Sequence, residues 1–91
     1  MQTKTTIGEY EVYIEQTEKV NSRFNRIFLK LKWINSNNVI LLGEWRMKED
    51  GYHLELCGSK ALELMQQYPR ALKFIEYCQS ILNVEYKYYY G

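Results

Sequence analysis

The sequence contains little of what enzyme active sites and metal centres are built from. It has one histidine, one aspartate, one proline and two cysteines in 91 residues. Catalysis by side chains needs a nucleophile, a base within hydrogen-bond reach and an orienting group, and a zinc site needs closely spaced ligands. Along an extended strand, His53 and Cys57 stand about 13 Å apart and cannot form a dyad. We therefore predict no catalytic site, no metal site and no cofactor.

Long apolar runs, a leader pattern and a strong net charge are also missing. No run approaches the roughly 18 apolar residues that span a bilayer, and residues 1–16 lack the charged and apolar regions of a signal peptide. The net charge of +1 gives no overall field that would steer the chain toward nucleic acid or an acidic membrane. We expect one cytoplasmic domain over residues 1–91 with reduced thiols. A disulfide between Cys57 and Cys78 is the less favoured alternative.

Four segments show the alternation of apolar and polar residues that is typical of β-strands. They comprise residues 7–17, 24–33, 39–47 and 52–57, and turn-forming residues separate them. This order predicts an α+β fold with a four-stranded antiparallel meander. The tyrosine-rich segment 84–91 is either a fifth, C-terminal strand or a partly ordered terminus.

The first hairpin, with residues 18–23 as its connection, must bring like faces together. We predict that Ile14 lies opposite Ile27 and Val12 opposite Leu29. This register also pairs opposite charges on the outer face: Glu15 with Arg26, Glu11 with Lys30 and Glu9 with Lys32.

Alternation assigns the odd-numbered residues of the second and third strands to the core. The predicted core row of these two strands comprises Ile27, Leu29, Leu31, Trp33, Val39, Leu41 and Trp45. Gly43 lies in the same row, which indicates a close approach by a neighbouring backbone or ring.

A helical apolar period follows Ser59, the predicted N-cap. Pro69 interrupts this period, because proline donates no hydrogen bond and its ring clashes with the preceding turn. We favour a short helix that ends near Gln67 and a second helix that Pro69 opens, over one kinked helix. The predicted core face comprises Ala61, Leu64, Met65, Tyr68, Leu72, Ile75, Cys78 and Leu82.

Apolar residues beyond this core indicate an interaction surface if they are exposed, although a wide helix face and a curved sheet could bury part of them. Phe74, Tyr77 and Ile81 form a second helical stripe. On the outer sheet face, the candidates are Phe28, Tyr13, Ile40 and Leu42. The tail tyrosines could join a partner by strand addition: Tyr86, Tyr88, Tyr89 and Tyr90.

A nucleic-acid interface is the alternative that the outer face suggests. Arg26, Lys30 and Lys32 flank Phe28 and Tyr13, which is typical of a basic stacking platform. The glutamates of the first strand would neutralise these cations and repel phosphate, so nucleic acid is the less favoured partner.

We therefore expect a non-enzymatic module that binds another protein. Residues with A- and T-rich codons, such as tyrosine, lysine and asparagine, far outnumber glycine, alanine, arginine and proline. This suggests a low-GC bacterium or one of its phages or mobile elements. Small proteins without catalytic residues from such elements often inhibit host machinery, so we expect an inhibitor of a host nuclease or defence complex, for example of the CRISPR type. A small nucleic-acid-binding protein and a structural homodimer are the alternatives.

Overall fold

The chain folds into a five-stranded antiparallel sheet followed by two helices, and the strands lie in sequence order across the sheet. The computed structural model describes residues 4–17 and 26–90, and of residues 17 and 88–90 it describes the backbone alone. The predicted connection at residues 18–23 lies outside this part. The elements are β1 (Lys4–Ile7), β2 (Tyr10–Thr17), β3 (Arg26–Trp33), β4 (Val39–Lys48), β5 (Gly51–Leu56), α1 (Lys60–Gln67) and α2 (Pro69–Tyr90). The predicted α+β meander is confirmed.

The fifth strand lies at the N-terminus, so the prediction of a C-terminal strand is wrong. β1 and β2 are joined at Gly8 and Glu9, and Gly8 adopts φ +58°, a left-handed conformation that favours glycine. Reading residues 7–17 as one strand missed this turn. The tyrosine-rich tail instead continues α2 to Tyr90, because its apolar residues also fit the helical period that starts upstream.

The β2–β3 hairpin is shifted by two residues from the predicted register. Ile14 lies opposite Leu29 and Val12 opposite Leu31. The inward faces still meet, as predicted, but the predicted charge pairs do not lie directly opposite each other. Each such pair contributes less than about 1 kcal/mol, and the observed register brings Tyr10 and Trp33 into an edge-to-face contact at 5.6 Å.

One extra residue in β4 reverses the predicted orientation of the first half of that strand. Leu29 pairs with Gly43, but the next residue, Lys30, pairs with Leu41, so Leu42 is a β-bulge. Leu42 is fully buried, whereas Val39 and Leu41 are 44% and 42% exposed. The predicted inward positions of Val39 and Leu41 are therefore wrong.

Gly43 makes the close approach that its place in an apolar strand predicts. A Cβ atom at this position would lie 2.7 Å from the carbonyl oxygen of Glu55 and 3.1 Å from the Leu54 side chain. The bulge in β4 thus brings its backbone against β5, and only glycine leaves room for β5 there.

The two helices separate at Tyr68 and Pro69, which confirms the favoured prediction. Ser59 occupies the N-cap position of α1, although its side chain makes no capping hydrogen bond. The interruption changes the phase of the second helix, so that Ala71 and Phe74 are buried and Leu72, predicted to face the core, is 44% exposed. The buried face of the helix pair comprises Ala61, Leu64, Ala71, Phe74, Ile75, Cys78 and Leu82.

Gln79 fixes α2 against the last two strands. Its side-chain oxygen accepts a hydrogen bond from the Trp45 indole at 2.7 Å, and its nitrogen donates to the carbonyl oxygen of Tyr52 at 2.7 Å. Further along, the Tyr86 hydroxyl donates to the carbonyl oxygen of Glu49. Because α2 contacts both β5 and β1, the sheet curls around the helix.

In the part of the chain that the structure describes, no helix has the length and apolar character needed to cross a membrane.

Gly43→Ala should lower the free energy of unfolding by about 2 kcal/mol, because the added methyl group collides with the β5 backbone. Urea unfolding followed by circular dichroism measures this change. The matched control is Gly58→Ala, because space is open around Gly58 and only its φ of +69° opposes a side chain. That control should lose about 1 kcal/mol; equal losses would contradict the close approach at Gly43.

Gln79→Met keeps the length of the side chain but removes both hydrogen bonds, leaving the Trp45 indole N–H without its partner. It should destabilise the fold by roughly 1–3 kcal/mol. Glu76→Gln, at an exposed position of the same helix, should change stability by less than about 0.5 kcal/mol. Similar unfolding midpoints for both variants would show that Gln79 does not fix the helix.

Candidate protein-binding surface

Several residues predicted at the interface are part of the core. Phe74 and Leu42 are buried, and Ile40 packs against the core cluster. Phe74 is buried because the break at Pro69 sets the phase of α2, and Ile40 and Leu42 turn inward because of the bulge. The alternative that a wide helix face and a curved sheet bury part of the candidates therefore applies to Phe74 and Leu42, and the predicted place of Ile40 and Leu42 on the outer face is wrong.

The helix candidates that remain lie along one flank of α2. Tyr77 is 47% exposed and Ile81 is half-buried. The hydroxyl of Tyr86 is engaged in docking the helix to the β4–β5 turn. Tyr88, Tyr89 and Tyr90 belong to the last turns of α2, and their side chains lie outside the described part of the chain. The helical tail is not available as an added strand.

Tyr13 and Phe28 lie on the outer sheet face, as predicted, and both are half-buried. Two cations lie near the Phe28 ring: the Arg26 guanidinium at 5.0 Å and the Lys30 ammonium at 5.6 Å from its centroid. Such contacts hold the aliphatic stems of the cations against the sheet and partly cover the ring.

Val39 and Leu41 are outer-face residues that the sequence reasoning missed. Leu41 on β4 lies opposite Lys30 on β3, and Lys30 lies opposite Tyr13 on β2. Val39 lies opposite Lys32. The available sequence signal was Gly43, since an isolated glycine within a strand pattern often marks a bulge. We call Tyr13, Phe28, Val39 and Leu41 together the outer patch.

Beyond the outer patch, ion pairs cover the same face of the sheet. Arg26 pairs with Glu44 at 3.1 Å and Arg46 with Glu55 at 3.3 Å. Lys48 also reaches Glu55, at 3.7 Å. Exposed pairs of this kind add little stability, but they leave the part of the face around Glu44 and Glu55 with nearly balanced charge.

The cations proposed for nucleic-acid binding have carboxylates close by. Arg26 pairs with Glu44, Lys30 pairs with Glu15, and Lys32 lies opposite Glu11 in the ladder. A phosphate would have to compete with these carboxylates for the same cations. The individual ion pairs differ from the predicted ones, but acidic side chains lie beside these three cations, as predicted.

The histidine and the two cysteines are not part of the outer patch. His53 contacts Asp50 at 2.7 Å on the surface of the β4–β5 turn, and this hydrogen bond lowers the pKa of Asp50. Cys57 is an exposed free thiol. Burial raises the pKa of the Cys78 thiol to about 11, so this group stays protonated at neutral pH.

The carboxylates Glu44 and Glu55 face each other on adjacent strands, and Arg46 lies within 4.0 Å of both. Over residues 4–17 and 26–87, no group of three or more histidine, cysteine, aspartate or glutamate side chains could hold a metal ion.

Two shallow clefts lie elsewhere on the surface, and polar side chains line most of both. The larger, about 330 Å³, lies between Glu63, Gln66 and Gln67 of α1. The other, about 240 Å³, is lined by Glu9, Trp33, Asn35, Ser36 and Asn38. Small-molecule sites are usually deeper and lined mainly by apolar groups, so neither cleft has that character.

Comparison with known proteins gives no relative from which a function could be transferred: no family model matches the chain, and no match is found among curated proteins or solved structures.

The buried Cys78 thiol should make stability depend on pH in the alkaline range. Its folded pKa is raised to about 11 from an ordinary value of 9.0, so its contribution is complete below pH 9 and is lost as the pH rises toward 11. The difference corresponds to roughly 2–3 kcal/mol. Urea unfolding at pH 8 and pH 10.5 should therefore show a larger loss for the wild type than for Cys78→Ala.

Cys57→Ser is the matched control, because the Cys57 thiol is exposed. This variant should keep the alkaline loss of the wild type. An identical pH dependence for the wild type and Cys78→Ala would contradict the burial of Cys78.

Proposed function

We propose that the chain is a protein-binding module and that the outer patch contacts the partner. The observation that carries the proposal is the β-bulge at Leu42, which turns Val39 and Leu41 out of the core and onto the sheet face that also carries Tyr13 and Phe28. Bulges commonly re-aim side chains at functional positions. Without this extra residue, alternation would bury both aliphatic groups.

The composition of the outer patch fits a protein partner. Two aliphatic side chains on β4 and two aromatic side chains on β2 and β3 lie on the outer face, with Lys30 between Tyr13 and Leu41. Aromatic residues are enriched where proteins meet, and a polar rim usually surrounds the apolar centre. Here, Lys32 and the ion pairs around Glu44 and Glu55 lie at the edges of the outer patch, and the aliphatic stem of Lys30 lies within it.

The flank of α2 at Tyr77 supports the proposal less strongly. Tyr77 and Val84 are exposed there, but Phe74, the residue expected to complete the stripe, is buried in the core. Single exposed apolar side chains are common on protein surfaces and need no partner.

Binding would act on the partner by covering part of its surface. The class of partner that we propose is a nuclease or complex of a bacterial defence system, and this choice rests on the composition of the chain alone. We place the protein in the cytoplasm, where the free thiols of Cys57 and Cys78 would stay reduced.

Nucleic acid and a second copy of the chain are the alternative partners. The nucleic-acid alternative predicts a complex that weakens with salt and with Lys30→Glu plus Lys32→Glu. The homodimer alternative predicts a concentration-dependent mass in sedimentation experiments.

Leu41→Asp should abolish partner binding and leave the fold intact, because the side chain is exposed and its replacement puts a charge in the centre of the outer patch. Affinity purification from a bacterial lysate with quantitative mass spectrometry compares the proteins retained by each variant. The partner should be at least about tenfold depleted with Leu41→Asp, which corresponds to a loss of about 1.4 kcal/mol in binding.

Leu62→Asp is the matched control, since Leu62 is 51% exposed but lies on α1 rather than on the outer face. It should retain the partner at the wild-type level. Equal recovery with both aspartate variants would contradict the proposed surface, and loss only with Tyr77→Asp would move the interface to α2.

A further inference from the structure

β5 ends before it has covered the whole length of β4. The ladder between the two strands stops at the pair Gly43–Leu56, and one further hydrogen bond joins the N–H of Cys57 to the carbonyl oxygen of Leu42. The chain then turns at Gly58 toward α1. In the ladders formed by the described residues, Val39 to Leu41 therefore pair with β3 on one side and with no strand on the other.

The direction of the main-chain groups along this open segment follows from the hairpin geometry. The N–H of Trp33 donates to the carbonyl oxygen of Asn38, which fixes Leu31 and Ile40 as the next hydrogen-bonded pair of the antiparallel ladder. Because main-chain groups alternate in direction along a strand, those of Val39 and Leu41 point away from β3. Two N–H groups and two carbonyl groups thus face the open edge.

The free edge of β5, next to this open segment, is covered by α2. Along β5, α2 lies against the strand, and Gln79 donates to the carbonyl oxygen of Tyr52. Covering an edge in this way is a common protection against pairing with other chains. α1 also contacts β4, but the side chains of Val39 and Leu41 are 44% and 42% exposed, so their outer face remains open to solvent.

We propose that Val39–Leu41 is a strand-addition site, and that an extended segment of a partner protein pairs with this edge of β4. The inference rests on the proposed protein-binding function and specifies how the partner is held. Main-chain hydrogen bonds to Val39 and Leu41 provide the pairing, and side chains at alternate positions of the added strand contact the outer patch.

The side chains around the edge define the chemistry of the added segment. Its residues opposite Val39 and Leu41 lie on the outer face and are apolar, since they extend the outer patch. Leu41 lies opposite Lys30 and Val39 opposite Lys32. Glu15 already pairs with Lys30, so Lys32 is the cation that favours an acidic over a basic residue at the end of the segment near Val39. The segment is therefore extended and alternating, with an acidic residue at one end.

The test selects binders to the full-length chain from a display library of linear decapeptides and maps the best peptide by NMR. The amides of Val39 and Leu41 should gain protection from hydrogen exchange on binding, whereas the amide of Ile40, already paired, should not change. Peptides with alternating apolar residues and net negative charge should be recovered.

Variants at one position separate main-chain pairing from side-chain contact. Val39→Pro removes a single outward N–H at the first residue of the strand, where proline is tolerated, and Val39→Ala removes only the side chain. Affinity for the peptide should fall at least about tenfold with Val39→Pro and less with Val39→Ala. Circular dichroism and the NMR spectrum confirm that both variants fold.

Each alternative outcome has a definite meaning. Recovery of no peptide, binding that protects other amides, or equal affinity of the proline and alanine variants would overturn strand addition. If the lysate partner is lost with Leu41→Asp but kept with Val39→Pro, the proposed function stands and this inference fails. A homodimer that Val39→Pro dissociates would make a second copy the occupant and would also overturn the proposal.

Discussion

β4 contains one residue more than β3 between the pairs Leu29–Gly43 and Lys30–Leu41. As a result, even-numbered residues of β4 point to the core before this position and odd-numbered residues point to the core after it. Trp45 and Leu42 both enter the core, although alternation would place only one of them there. The same extra residue exposes Val39 and Leu41. The burial of Leu42 and the exposure of Val39 and Leu41 both follow from this single irregularity.

The glycine next to the bulge allows the sheet to continue past it. Gly43 lies so close to the β5 backbone that a larger residue would push the strands apart. With β5 in place, Trp45 reaches Gln79, and α2 is fixed across the concave face and along the β5 edge. The sheet is thus protected at β5 and open at the start of β4. The proposed strand addition uses this open segment.

The features that sequence reasoning recovered are those governed by local patterns. Alternation identified the strands β2 to β5, and the ring of Pro69 divided the helices. The position of Gly43 also indicated a close contact. These inferences succeed because a few neighbouring residues determine each of them.

What sequence reasoning missed depends on residues that are distant in the chain. The register of β2 and β3 was predicted from charge pairs that are each worth less than about 1 kcal/mol, and in the observed register such a pair also forms between residues that are not directly opposite, Lys30 and Glu15. The bulge depends on the pairing of β4 with both β3 and β5. The side of α2 that is buried depends on the backbone conformation of Tyr68, which separates the two helices. Leu42 and Phe74 are buried for these reasons, and the proposed binding surface therefore includes Val39 and Leu41 in their place.

The proposed function rests on the geometry of the outer face. Its central feature is the outward direction of Val39 and Leu41, and amide hydrogen exchange measured by NMR tests this directly. The amide of Ile40 should exchange slowly because it pairs with Leu31, whereas those of Val39 and Leu41 should exchange rapidly because they face solvent. Slow exchange at Val39 and Leu41 in the free protein, with rapid exchange at Ile40, would contradict the account.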